Sequence, residues 1–305
     1  MSATTRRRLD SEMVRRGLAP SREAARELID SGNVLVGGAP AGRPARLVAA
    51  GEPVAVAEAS RRFVSRGGQK LHAAIHGFGV DPRGMRCLDA GASTGGFTDC
   101  LLQHGAACVV ALDVGRGLLH ERLRSDARVV AVESTNVRDL SPDAFGGGFF
   151  GIVCADLAFI SLTKVAGALV RALDPTGGDL IALVKPQFEA GRKEASRGRG
   201  VIRDPEVWGN CLQSVAAALG QAGAHVLGAM PSPVKGPAGN VELFVHARVA
   251  TDEVPTVSAE QLEAMLQGAV TAATQLVSAT SHARPVASRV GTSGRGPEAT
   301  CETDR

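Results

Sequence analysis

The sequence predicts an α/β protein: a doubly wound, mostly parallel, Rossmann-like sheet preceded by a small α/β unit. Three observations carry that prediction. From about residue 85, apolar strand-like runs alternate with helical patterns, which implies a parallel sheet with helices on both faces. A glycine-rich turn, Asp89-Ala-Gly-Ala-Ser-Thr-Gly-Gly-Phe97, follows one such strand and opens a helix. The charge is also lopsided. Of a net +3, residues 1–70 carry thirteen Lys/Arg against seven Asp/Glu, as expected of a nucleic-acid-binding unit joined to a near-neutral domain.

Taken in chain order, Leu9, Met13 and Val14 share one face of a first helix. Ser21 is placed to cap a second helix, in which Ala24, Ala25, Leu28 and Ile29 recur at helical spacing until Gly32. Val34 and Val36 alternate before a Gly37-Gly38 hairpin turn, and Val54 and Val56 form a later short strand. A basic linker spans Ala59 to Gly68. The larger unit then supplies strands at Cys87–Asp89, Cys108–Asp113, Val129–Val132, Phe149–Ala155, Leu180–Val184, His225–Ala229 and Val241–Val249, with a helix over Pro205–Gly223. One more amphipathic helix follows Pro255 through Leu276, and the Ser/Thr/Gly/Arg-rich stretch from Ser278 reads as a disordered tail. The domain reading is therefore 1–60, a linker at 61–68, 69–250, and a helix with tail at 251–305.

Several function classes are disfavoured by composition. The six cysteines form no C-x-x-C pair, and the seven histidines form no spaced cluster, so no metal is expected. Buried thiols in a reducing, cytoplasmic compartment are expected instead. Arg6-Arg7-Arg8 is followed by no apolar signal segment, and no uninterrupted apolar run of about eighteen residues occurs, so no membrane partner is expected. Trp208 and Cys154 read as core residues.

A nicotinamide fingerprint would place glycine where this chain has Ser93. The Asp-x-Gly-x-x-x-Gly-Gly turn suits S-adenosyl-L-methionine better. Asp89, Gly91, Ser93, Thr94, Gly95, Gly96 and Phe97 would wrap its methionine portion, and Asp113, at the end of the next strand, would accept the ribose hydroxyls. Asn136 would meet the adenine edge. Four further polar residues, Lys70, Asp156, Lys185 and Glu242, stand where a strand or helix start hands over to a loop. Asp156 is expected to contact the cofactor as well. The stretch Asp156-Leu157-Ala158-Phe159 lacks the prolines of base-amino methyltransferases, and Cys154 lacks the context of a cytosine-carbon nucleophile. Clustered lysines oriented by carboxylates suit a different chemistry, in which a weakly acidic hydroxyl loses its proton as it accepts a methyl group.

Five blocks resemble one family closely: Ser65-Arg-Gly-Gly-Gln-Lys-Leu71, Asp89 to Thr98, Ala155-Asp-Leu-Ala-Phe-Ile-Ser161, Leu183-Val-Lys-Pro-Gln-Phe-Glu189 and Gly239-Asn-Val-Glu242. They look like the signature blocks of the TlyA family, bacterial rRNA 2′-O-methyltransferases of the FtsJ-like fold that also carry an older haemolysin name. The resemblance implies that Lys70, Asp156, Lys185 and Glu242 form a catalytic tetrad acting on cytidine 2′-hydroxyls of ribosomal RNA. The front unit resembles the RNA-binding domain named after ribosomal protein S4. With Arg66 of the first block, Arg6, Arg8, Arg15, Arg16 and Arg22 are then candidate RNA contacts. One departure stands out: the family linker carries Arg-x-Trp-Val, and this chain has Arg61-Arg62-Phe63-Val64. The competing readings are a membrane-active cytolysin and a non-catalytic RNA-binding assembly factor.

Overall fold

In the computed structural model, residues 6–30, 33–56, 62–140, 147–198, 200–251, 254 and 257–282 are described. Gly32, the start of the linker up to Arg61, and the tail beyond residue 282 lie outside them.

The front unit holds strand β1 (Arg6–Arg8), helices α1 (Leu9–Arg15) and α2 (Arg22–Asp30), and strands β2 (Val34–Val36), β3 (Ala39–Pro40), β4 (Leu47–Ala49) and β5 (Val54–Val56). The Ser21 hydroxyl accepts the Ala24 amide at 3.1 Å, the capping contact its position implies. Gly37 and Gly38 both have positive φ, as a two-residue hairpin turn between β2 and β3 requires. Strands β1 and β4 pair with each other, a second small sheet that the alternation of apolar residues does not reveal because Arg6–Arg8 are all exposed. Leu9, Met13, Ala25, Ile29, Val34 and Val48 form a separate core.

Helix α3 (Arg66–Phe78) opens the larger unit, and its first turn takes in the end of the stretch read as linker. Strands β6 (Arg86–Ala90), β7 (Cys108–Leu112), β8 (Val129–Val132), β9 (Ile152–Ala155), β10 (Asp179–Val184), β11 (Ala224–Pro231) and β12 (Leu243–Val249) form one sheet in the order β11-β12-β10-β9-β6-β7-β8. Of its strands, only β12 runs antiparallel to its neighbours, wedged between β10 and β11. Helices α4 (Gly96–Gln103), α5 (Glu121–Arg124), α6 (Ala166–Ala172), α7 (Pro186–Glu189), α8 (Gly191–Arg197), α9 (Pro205–Gln221) and α10 (Ala259–His282) complete the chain order.

Side chains alternate between the two faces of the sheet, as extended backbone demands. Leu88 and Val153 join the core with Leu169, Leu212 and Leu266, while Cys87 and Cys154 join the other with Leu71, Leu101 and Phe244. Cys154 and Trp208 are core residues, as expected. Helix α10 continues through His282, so residues 278–282 are helical and not tail. Its Leu266, Ala269, Val270 and Ala273 are buried against the same core as α9, and it covers the edge strand β11.

Candidate active site

Strand order reverses between β6 and β9, because β6 is followed by β7 on one side and the chain returns to β9 on the other. A crevice opens at such a point beyond the carboxyl ends of the strands. Here β6 ends at Ala90, directly before Gly91, and β9 ends at Ala155, directly before Asp156. Gly91 has φ of +87°, and a Cβ there would lie 2.7 Å from the Asp156 carbonyl oxygen, so the two loops approach as closely as only glycine permits. A cavity of about 470 Å³ fills the crevice.

Two helix N-termini frame that cavity. Ser65 caps α3 by accepting the Gly67 amide, and a Cβ on Gly96 would come within 2.2 Å of the Ser65 hydroxyl. The positive ends of α3 and α4 therefore meet at backbone contact distance and face the same space. Phe63 is buried against Gly68, where any Cβ would overlap its ring. The phenylalanine thus fills the space under the first turn of α3.

The four polar residues converge as expected. Lys70, from α3, donates a hydrogen bond to Glu242 at 2.6 Å, and both side chains are buried. Lys185 Nζ lies 2.5 Å from Asp156 Oδ1, an ion pair that is off the line of a hydrogen bond. The register pair Val184↔Leu243 explains why distant sequence positions meet: Lys185 and Glu242 stand one residue beyond it, on neighbouring strands. All four line the cavity together with Gly91, Ser93, Thr94, Gly96 and Phe97.

The remaining predicted cofactor residues are arranged around that lining. Asp89 is fully buried; Oδ2 accepts the amide and hydroxyl of Thr98, and Oδ1 has no partner among the described residues. Burial, partly offset by those hydrogen bonds, pushes the Asp89 carboxyl up to about 7. Gly95 is left-handed beneath Leu119 and Leu123. Asp113 accepts the amides of Ser93 and Gly115, so it shapes the turn at its side. Asn136 caps a single 3-10 turn by accepting the Arg138 amide and does not line the cavity.

Sequence reasoning missed Phe159. It is 91% exposed, has a positive φ, and lies 5.4 Å from the Phe188 ring just beyond Ala158, which lines the cavity. Glu189 pins this loop by accepting the Ser161 hydroxyl and the Leu162 amide. The signal available in the sequence is an aromatic placed three residues after Asp156, just past a strand end.

In the front unit the arginines are organised by buried acids. Asp10, with no exposed surface, receives Arg8, Arg22 and Arg26 at 2.9–3.3 Å, and Arg8 first among them holds its carboxyl well below the usual range. Glu12 pairs with Arg15 and Arg16, which hold its carboxyl at about 2. Arg16 also donates to the carbonyls of Ala49, Ala50 and Glu52, so its guanidinium ties α1 to the turn after β4. Arg6 is exposed at the edge, and Arg66 lines the cavity itself.

Three of the seven histidines, expected to form no cluster, do come together. His72, His76 and His104 lie ring to ring with Cys100 beside them, because α3 and α4 pack together.

Comparison with known proteins agrees with this architecture. Residues 63–249 match the model of the FtsJ-like methyltransferase family, and residues 7–54 match the S4 domain. The chain is 47% identical over 266 residues to the 16S/23S rRNA (cytidine-2′-O)-methyltransferase TlyA of Mycobacterium tuberculosis, covering 87% of this chain and 97% of that protein. It is 38% identical to Hemolysin A of Brachyspira hyodysenteriae over 78% of this chain and 98% of that one. A solved structure from Streptococcus thermophilus that carries a hemolysin name superposes with a TM-score of 0.70 at 34% identity, covering 92% of this chain and all of that one. The chain thus belongs to the FtsJ-like methyltransferase family, within its TlyA group.

Proposed function

We propose that this chain methylates cytidine ribose 2′-hydroxyls in ribosomal RNA with S-adenosylmethionine as methyl donor. The observation that carries the reading is the meeting of two lysine–carboxylate pairs at one end of a cavity whose other wall is the glycine turn. The cavity fits such a donor: its volume lies in the range of small-molecule sites, two helix N-termini face it, and an unpartnered buried carboxylate oxygen of Asp89 lies behind the turn. Gly91, Ser93, Thr94, Gly95, Gly96 and Phe97 would hold the methionine portion, Asp113 the ribose, and Asn136 the adenine edge. When bound, the donor supplies an electrophilic methyl group on a sulfonium.

The chain's own residues then manage a proton. A ribose hydroxyl is a very weak acid and must lose its proton as its oxygen takes the methyl group. Lys185 is the acceptor: it lines the cavity, and its ion pair with Asp156 is off the line of a hydrogen bond, whereas Lys70 is tied to Glu242 by one. Asp156 orients Lys185, and the Lys70–Glu242 pair holds a second ammonium on the same cavity wall. Phe159 offers an exposed face on which a base drawn out of its stack can lie. Arg6, Arg8, Arg15, Arg22 and Arg66 supply phosphate contacts, and the buried acids keep most of them extended toward solvent.

Among the described residues no helix is long and apolar enough to cross a membrane, and the reading places the enzyme with ribosomes in the cytoplasm. Mapping ribose methylation in rRNA from cells with and without the gene tests it. A cytidine 2′-O-methyl group should vanish on deletion and return with the parent gene but not with Lys185→Ala; identical methylation in all three strains would refute the reading.

A further inference from the structure

Helices α3 and α4 each present an i, i+4 pair of potential metal ligands: His72 with His76, and Cys100 with His104. Residues at that spacing lie on one helix face, and the packing of α3 on α4 turns the two pairs toward each other. His72, Cys100 and His104 can each offer one ligand atom with all three within 4.8 Å. Cys100 is fully buried, while His72 and His104 are half-buried and reachable from outside.

The hydrogen bonds fix the protons. His104 Nδ1 lies 2.8 Å from the Cys100 carbonyl oxygen, an acceptor only, so Nδ1 carries the proton and Nε2 the lone pair. His72 Nδ1, 3.1 Å from that lone pair, is therefore the donor, and His72 Nε2 accepts from Arg62 at 2.8 Å. His104 Nε2 thus faces His72, while Cys100 Sγ lies 3.7 Å from His104 Nδ1, so the His104 ring must turn to bring its lone pair to the sulfur; a histidine whose Nδ1–H is held by a backbone carbonyl and whose Nε2 is the ligand atom is a usual metal-binding arrangement.

We propose that His72 Nδ1, His104 Nε2 and Cys100 Sγ form a site for a borderline divalent transition metal ion of the zinc class, which staples α3 to α4. Bond lengths of about 2.0–2.1 Å to nitrogen and 2.3 Å to sulfur put tetrahedral ligands roughly 3.3–3.6 Å apart, so modest rotations of the two imidazoles close the set. The ion displaces two protons: the Cys100 thiol releases one to solvent, and the His72 proton moves from Nδ1 to Nε2. That shift turns His72 Nε2 from acceptor to donor, so Arg62 must let go. Arg62 and the metal are competitors, and Arg62 also lines the cavity. The fourth position is left to water, with the exposed His76 ring at its rim. The ion would brace the two helices whose N-termini frame the cavity, at the end away from the chemistry.

Cobalt titration of the full, chelator-stripped chain tests the site. One ion per chain should bind, with a thiolate-to-cobalt charge-transfer band and the intense visible bands of a four-coordinate ion, and zinc should displace it. Cys100→Ser should abolish the charge-transfer band. His72→Ala, at a half-buried position, should weaken binding at least tenfold, and Arg62→Ala should tighten it severalfold. His76→Ala should change affinity less than threefold. Circular dichroism of each variant separates loss of ligand from loss of fold. No saturable binding up to millimolar cobalt would overturn the proposal, as would a charge-transfer band that survives in Cys100→Ser or an affinity unchanged in folded His72→Ala and Arg62→Ala.

Discussion

The front unit and the catalytic cleft use the same ionic chemistry in opposite solvent. At the front, Asp10 has no exposed surface while Arg8, Arg22 and Arg26 around it are about half exposed. In the cleft, both members of each pair are withdrawn, Lys70 and Lys185 having only 9% and 12% of their side chains exposed. Exposed guanidiniums remain available to phosphates and are screened by salt. The enclosed lysines exert their fields in a lower-dielectric space and are fixed beside one small volume. A carboxylate beneath a fan of arginines holds the cations at the surface, whereas the same carboxylate beside a single enclosed lysine fixes one ammonium in the cavity wall.

The strongest way to break that contrast is at the Lys185–Asp156 pair. Lys185→Ala should reduce methyl transfer by roughly 10²–10⁴-fold with cofactor affinity nearly intact, read by transfer from labelled donor and by calorimetry. Turnover near the parent's would remove Lys185 from the chemistry.

Asp89 provides a second, thermodynamic probe of the cleft. Its folded pKa of about 7 is raised by burial, so the protein's stability gains from this group below its unfolded pKa of about 3.9 and loses that gain as pH rises through about 7. The shift corresponds to a few kcal/mol at most. Melting curves should therefore show that Asp89→Asn falls less in stability between pH 5 and 8 than the parent does; parallel curves would mean that Asp89 is not desolvated.

At the cleft's edge Asp113→Ala should weaken donor binding by about 1–3 kcal/mol, the scale of a lost charged hydrogen bond. An unchanged dissociation constant would confine Asp113 to shaping the turn through Ser93 and Gly115.

The smallest effects belong to the front. Charge reversal at Arg22 should lower RNA affinity, reduce the log–log salt slope by roughly 0.7–0.9, and leave donor binding unchanged. Asp10→Asn should weaken RNA binding without removing a cation, because Arg8, Arg22 and Arg26 lose their anchor. Arg16→Ala should instead lower the melting temperature, since its guanidinium holds backbone carbonyls. RNA affinity that falls more in Arg16→Ala than in Arg22→Glu, with the fold intact, would reverse these assignments.

Much of the fold was legible because alternation of apolar strands and helices reports burial on two faces, and every strand from β6 to β12 falls within a few residues of its predicted span. The Arg6–Arg8 strand escaped that logic, since an exposed edge strand leaves no apolar period. The end of α10 was misread because the stretch from Ser278 is rich in Ser, Thr, Gly and Arg, whereas the helix runs on to His282 from residues buried against α9 and β11. Lys70, Asp156, Lys185 and Glu242 were legible as residues at handover points between elements. Their partners were not, because β12 turns antiparallel between β10 and β11, and only that insertion brings Glu242 beside Lys70.

Composition and local pattern by themselves determined the class of fold, the glycine turn and the polar residues available for chemistry, because backbone periodicity and glycine's freedom act over a few residues. Tertiary structure decided which lysine meets which carboxylate, which arginines stay free and which is bound to carbonyls, and that His72, Cys100 and His104 share one small volume. Those outcomes depend on contacts between residues tens to hundreds of positions apart, where the interaction is set by strand order and helix packing and leaves no trace in linear spacing.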